Sequence, residues 1–188
     1  IDVSNHAVAL GQSLSFSAMG SDPDAGTTLT YSAQGLPSGA VFDSATGQLI
    51  WTPSVGQMGD YVITFTVSDG QSTASDAVLI RAAITPDAPA VTIELTPSFP
   101  AIPGQSVLIH PLAGALAEIV DLAVTVDGRE LALDQYGRAT YTPTEPGRVS
   151  IEAQATDADG RTGYATAVLK VCDSQDDAAP IVDFAPGW

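Results

Sequence analysis

Apolar and polar side chains alternate along this chain with a period of two, and no stretch shows the 3.6-residue period of an amphipathic helix. The clearest run is Tyr61-Val62-Ile63-Thr64-Phe65-Thr66-Val67, where alternation gives a strand one buried face. In the first half, Leu14 to Ala18, Leu29 to Ala33 and Ala77 to Ala83 share the rhythm. In the second half it returns at Val91 to Leu95, Val107 to Ile109, Leu122 to Val126, Ala139 to Thr142, Val149 to Ala155 and Thr162 to Val171. Turn residues fill the gaps, as in Asp22-Pro23-Asp24-Ala25-Gly26, Leu36-Pro37-Ser38-Gly39 and Ser44-Ala45-Thr46-Gly47. Asp127-Gly128 before Arg129 to Leu133 predicts a hairpin, because a two-residue type I′ turn needs positive φ at both positions.

The elements recur in order. Trp51-Thr52-Pro53, Gly59 and a strand ending at Asp69-Gly70 return as Tyr141-Thr142-Pro143, Gly147 and Asp157 to Gly160. Gly11-Gln12-Ser13-Leu14 is echoed by Gly104-Gln105-Ser106-Val107, and Ala77-Val78-Leu79 by Ala167-Val168-Leu169. A period of roughly 90 residues made of short strands predicts tandem β-sandwiches. The fold class expected is therefore all-β, with two tandem Ig-like (cadherin-like) sandwiches of about seven strands each. The boundaries fall at residues 1–84 and 85–172, joined by the proline-containing stretch Ile84 to Pro89. Residues 173–188, with Asp177-Ala178-Ala179-Pro180, read as a linker and the start of a further repeat.

Charge narrows the partners. Six basic residues stand against 22 acidic ones, a net charge of −16 spread along the whole chain. Such a field repels nucleic acid and attracts cations, so nucleic-acid binding is excluded. No window of ~18 apolar residues exists, so no membrane insertion is expected. Cys172 is the sole cysteine, which rules out a disulfide within the chain and points to a bacterial or a cytosolic module. The sole lysine, Lys170, and the sole asparagine, Asn5, fall in different modules, so neither module can form an internal Lys–Asn isopeptide bond.

The first module resembles the bacterial putative-Ig and dystroglycan-type cadherin-like repeats over residues 5–80. The resemblance lies in Asp22-Pro23-Asp24, Leu29-Thr30-Tyr31, Leu36-Pro37-Ser38-Gly39-Ala40, Phe42-Asp43, Thr46-Gly47, Trp51-Thr52-Pro53, Gly59 and Val67-Ser68-Asp69-Gly70. Over residues 88–172 the second module is similar, in outline only, to general Ig-like and PKD-like repeats, through Val126-Asp127-Gly128, Tyr141-Thr142-Pro143 and Asp157-Ala158-Asp159-Gly160. The resemblance implies extracellular modules of adhesins, multidomain polysaccharide-degrading enzymes and giant surface proteins. Some such relatives bind calcium between domains and a few are linked to carbohydrate.

The candidate chemistry is calcium. In an Ig-like topology the chain start, the B–C loop and the F–G loop share one pole, which predicts that Asp2, Asn5, Asp22, Asp24 and Asp69 converge. Asp87 in the linker, with Asp157 and Asp159, makes a second candidate set, and Asp60 lies at the lower pole of the first module. Asp173, Asp176 and Asp177 could repeat the arrangement. Calcium takes six to eight oxygen ligands, which these residues could supply. The competing reading is that each aspartate caps its own turn. Trp51 is a core residue or, alternatively, a sugar-stacking platform. His6 and His110 read as structural or solvated, and no serine sits in a nucleophile-elbow pattern. The expected function is a non-catalytic structural or adhesion segment of a secreted or surface protein that spaces and presents neighbouring domains of its parent chain. The alternative is a carbohydrate-binding accessory module, and a glycan or a protein ligand is admitted.

Overall fold

The computed structural model describes residues 1–24, 27–98 and 100–173. The expected repeat start at 173–188, with Asp176, Asp177 and Trp188, lies outside the described residues apart from Asp173. The chain forms two compact units. Among the described residues, the first comprises those within 1–89, 114–120 and 157–161; the second comprises those within 90–113, 121–156 and 162–173.

Among the described residues the first sandwich contains seven strands: His6–Ala9 (β1), Leu14–Ser17 (β2), Thr30–Gln34 (β3), Val41–Phe42 (β4), Gln48–Trp51 (β5), Gly59–Ser68 (β6) and Thr73–Ala83 (β7). One sheet has the order β1-β7-β6-β3 and the other β2-β5-β4. The β2–β5, β4–β5, β3–β6 and β6–β7 pairs are antiparallel, whereas β1 and β7 run parallel from His6 opposite Ile80 to Ala9 opposite Ala83. Alternation buries Ile63, Phe65 and Val67 from β6 with Val78, Ile80 and Ala82 from β7, while Leu49 and Trp51 close the core from the other sheet. Trp51 is 1% exposed; its indole N–H donates to the Ser38 carbonyl at 3.3 Å and its ring meets Tyr61 edge-on. Trp51 is therefore core, and the sugar-platform reading of this residue does not apply.

The second sandwich contains Ala90–Thr96 (β8), Val107–Gly114 (β9), Ile119–Val126 (β10), Arg129–Leu131 (β11), Ala139–Tyr141 (β12), Gly147–Asp157 (β13) and Thr162–Val171 (β14). Its sheets are β11-β10-β13-β14 and β12-β9-β8. The buried core is aliphatic, built from Val107, Ile109, Val124, Ile151 and Leu169, with Tyr141 partly buried against it. Asp127 and Gly128 have φ of 48° and 77°, the double positive conformation expected of a type I′ hairpin. Asp127 also fastens this hairpin to β13: its N–H donates to the Ser150 carbonyl, and its carboxylate accepts the Ser150 N–H, both at 2.8 Å.

The recurring motifs meet in space. Gly11 N–H donates to the Pro53 carbonyl at 2.7 Å, and Gly104 N–H to the Pro143 carbonyl at 2.8 Å. The strand after each glycine then lies in the same register, Leu14 opposite Trp51 and Val107 opposite Tyr141. Both glycines hold a left-handed φ, 80° and 83°, where a Cβ would crowd its own backbone. An added Cβ would meet nothing else within 4 Å at either place. Gly11→Ala and Gly104→Ala should therefore each lower the unfolding free energy by about 1–2 kcal/mol, from backbone strain alone. Urea denaturation of the two variants measures this, and unequal costs would mean that the two motifs are not the same device.

Candidate functional site

The aspartates proposed as cation ligands mostly bind the backbone of their own turns. Asp22 accepts the Asp24 N–H at 2.7 Å. Asp69 accepts the Ser72 N–H at 2.5 Å and the Gln71 N–H at 2.7 Å, contacts that hold its carboxyl below the ordinary value. Asp2 pairs through its backbone with Met19, and the Asn5 carboxamide accepts the Leu79 N–H at 2.9 Å. Asp60 forms a two-pronged pair with Arg81, its partner across the β6–β7 ladder, and Asp87 adds to the field at Arg81. Among the described residues, no three His, Cys, Asp or Glu side chains come together as a metal-ligand group.

Asp157 and Asp159 belong to a different arrangement, formed within the first compact unit around β1. Asp157 is 1% exposed, and its Oδ1 accepts the N–H groups of Asp159 and Arg161 at 3.1 and 2.9 Å. Its Oδ2 accepts Arg161 Nε at 3.0 Å. Asp159 Oδ1 meets His6 Nδ1 at 2.7 Å, while Oδ2 accepts the Ala7 N–H and Arg161 Nη2, each at 2.6 Å. Arg161 Nη1 donates to the Ala7 carbonyl at 2.7 Å. Asp159 and Arg161 thus hold the N–H and C=O of Ala7 much as a neighbouring strand would, on a strand whose ladder partner is β7. The His6 ring, 6% exposed, lies 4.1 Å from the Phe16 ring centroid.

Burial alone would raise the Asp159 carboxyl, but His6, the Ala7 N–H and Arg161 together outweigh it and hold the group below its ordinary range. All four oxygens of the two carboxylates are engaged, so the cluster is built to hold a strand in place. The counter-charge beside Asp157 and Asp159 is Arg161, where the sequence reading expects calcium.

Sequence reasoning passed over Arg161 and treated His6 as unconnected. One available signal was the repeat of Asp-x-x-Gly-Arg at Asp134–Arg138 and Asp157–Arg161. In the first copy, Asp134 likewise accepts the N–H groups of Tyr136 and Arg138 and the Arg138 guanidinium. Nothing local signals that the second copy reaches β1, 152 residues away.

Residues 1–85 match the family described as "Putative Ig domain". The putative-Ig match spans the whole first sandwich and stops before β8. No curated protein matches the chain. Among solved structures, the fibronectin(III)-like modules of Clostridium thermocellum CbhA are 14% identical, with 92% of each chain covered and a TM-score of 0.40. The PKD1 domain of Vibrio anguillarum Epp is 20% identical over 46% of this chain and 96% of that one, with a TM-score of 0.37. A putative alpha-galactosidase from Bacteroides fragilis is 22% identical over 44% of this chain, which spans 17% of that protein, with a TM-score of 0.37. With scores this low, the fold rests on the strand order and registers above.

Asp159→Ala should remove about 1–3 kcal/mol of stability, since it leaves the Ala7 N–H and part of Arg161 without their acceptor. Because the folded carboxyl titrates below its unfolded value, this contribution is present above about pH 3.9 and is lost as pH falls through the lower folded value. Amide exchange at Ala7, followed against pH in both proteins, tests it. Equal protection of Ala7 in the variant would refute the strand-holding role.

Proposed function

We propose that the chain is a non-catalytic structural segment of an extracellular or surface protein, whose tandem Ig-like modules space and present neighbouring domains. The observation that supports this best is mechanical. In the first sandwich, strands from its two ends, β1 and β7, pair in parallel over four residues, His6–Ala9 with Ile80–Ala83. Tension applied through the module's ends shears these pairs together, so several hydrogen bonds must yield at once. In the second sandwich, the parallel bridge of this kind among the described residues is Ala101 with Val171. The extracellular part of this reading is supported by the putative-Ig match, since Ig-like domains are commonly extracellular. No helix among the described residues is long and apolar enough to cross a membrane.

Calcium takes a minor part in this reading. It would fall to Asp22, Asp24 and Asp69, because all four carboxylate oxygens of Asp157 and Asp159 are already engaged.

Force spectroscopy of the whole chain should show two unfolding events, each releasing about 280 Å of chain for a module of some 80 residues. The first module should yield at the higher force. Loss of one event, or the reverse order for the modules, would remove the mechanical argument. A thermal melt in EDTA and then with calcium tests the metal. An ion present near its Kd adds about 0.4 kcal/mol by mass action, a rise of about 2–3 °C. A much larger rise that disappears in Asp22→Ala would make calcium a principal component.

A further inference from the structure

With Trp51 in the core, the exposed aromatic rings among the described residues are Tyr136 and Tyr164, at 64% and 66%. The Tyr136 ring is covered by the Arg138 guanidinium, 4.7 Å from its centroid. Tyr164 stands on β14 directly opposite Gln154 of β13, beside a shallow trough of about 110 Å³ on the outer face of the second sandwich. Ala123 and Thr125 of β10 are the small side chains of this trough, and Glu152 and Gln154 line it from β13. We propose that this face binds one ring of a neutral hexopyranose chain, with Tyr164 as the stacking platform.

The chemistry of the lining selects the ligand. A pyranose presents an apolar C–H face that can lie against an aromatic ring, and a rim of hydroxyls that need both donors and acceptors. Glu152 supplies acceptors, Gln154 supplies both, and the Thr125 hydroxyl can act either way. No lysine or arginine lines the trough. Its single charge is a carboxylate, in a chain of net charge −16, so uronic acids and sulfated or phosphorylated sugars are repelled. The volume is below the ~300–1,000 Å³ of enclosing ligand sites, so the contact is with one face of one ring. The expected affinity is correspondingly weak, with a Kd of about 1 mM or above. This site is independent of the spacer role, since an exposed ring on an outer sheet face takes no part in the core.

The test is a ¹H–¹⁵N titration of the full chain with cellohexaose, maltohexaose and mannohexaose, and with hexagalacturonate as the anionic control. Binding predicts shifts confined to the amides around Ala123, Thr125, Gln154 and Tyr164, with at least one neutral oligosaccharide and not with the uronate. Tyr164→Ala should weaken the interaction about tenfold or more while leaving the melting temperature unchanged, and Tyr164→Phe should retain most of it. No shift from any neutral probe at about 20 mM would overturn the proposal. So would an equal response to hexagalacturonate, or unchanged binding by the Tyr164→Ala protein.

Discussion

Each sandwich depends on a short tie between a turn and a strand end. A strand that buries one face needs a fixed relation to its ladder partner, because a one-residue slip turns its whole apolar set to the other face. Gly11 supplies that relation by giving its N–H to Pro53, two residues beyond Trp51, and Gly104 does so for Pro143, two beyond Tyr141. Once the tie is made, the residue three positions after each glycine faces the aromatic side chain across the ladder. The repeated motifs are therefore two halves of one contact. Each half is short and unremarkable alone, and the reason for their joint recurrence is visible only when they meet.

The acidity of the chain is handled by local geometry. Asp22, Asp43, Asp69 and Asp134 each sit at a turn where backbone N–H groups point at the carboxylate, which satisfies donors that the bend would otherwise leave open. Asp43 and Asp134 are exposed and Asp22 and Asp69 partly so, and their charges add little beyond turn formation. Asp157 differs because it is buried, where an incomplete set of partners would be costly. Its pairing with Arg161 meets that demand, and the same guanidinium then serves Asp159 and the Ala7 carbonyl.

Much of the fold was legible. Alternation placed β6, β7, β13 and β14 within a few residues, and Asp127-Gly128 gave its hairpin outright. What escaped has physical reasons. Strand β4 is two residues long, too short for a period to register, while β1 buries His6, Ala7 and Val8 in succession, shows no alternation and owes its place to the parallel ladder with β7. The alternation read for β9 covers Val107 to Ile109. The strand runs on through His110 and Pro111 to Gly114, and β12 covers only Val107–Ile109, so the proline lies beyond that pairing. The candidate site was the least legible part. Residue types named Asp157 and Asp159, but their partner His6 lies 153 residues from Asp159 and no spacing rule spans that distance.

The same contacts give the cation's place at Asp157 and Asp159 to Arg161. Calcium would require six to eight oxygen ligands, brought from solvent-exposed groups against their mutual repulsion. Arg161 lies four residues from one carboxylate and two from the other, so the turn that positions the acids also positions their counter-charge. A planar guanidinium can face two carboxylates and still donate to a carbonyl, a pattern that a lysine ammonium on its flexible stem would not reproduce in fixed geometry. The ion pair is thus encoded within one five-residue loop. What distinguishes Asp157–Arg161 from its sister loop at Asp134–Arg138 is the residue in the middle. Asp159 turns the loop outward to grasp β1, whereas Tyr136 turns its ring to the arginine of its own loop.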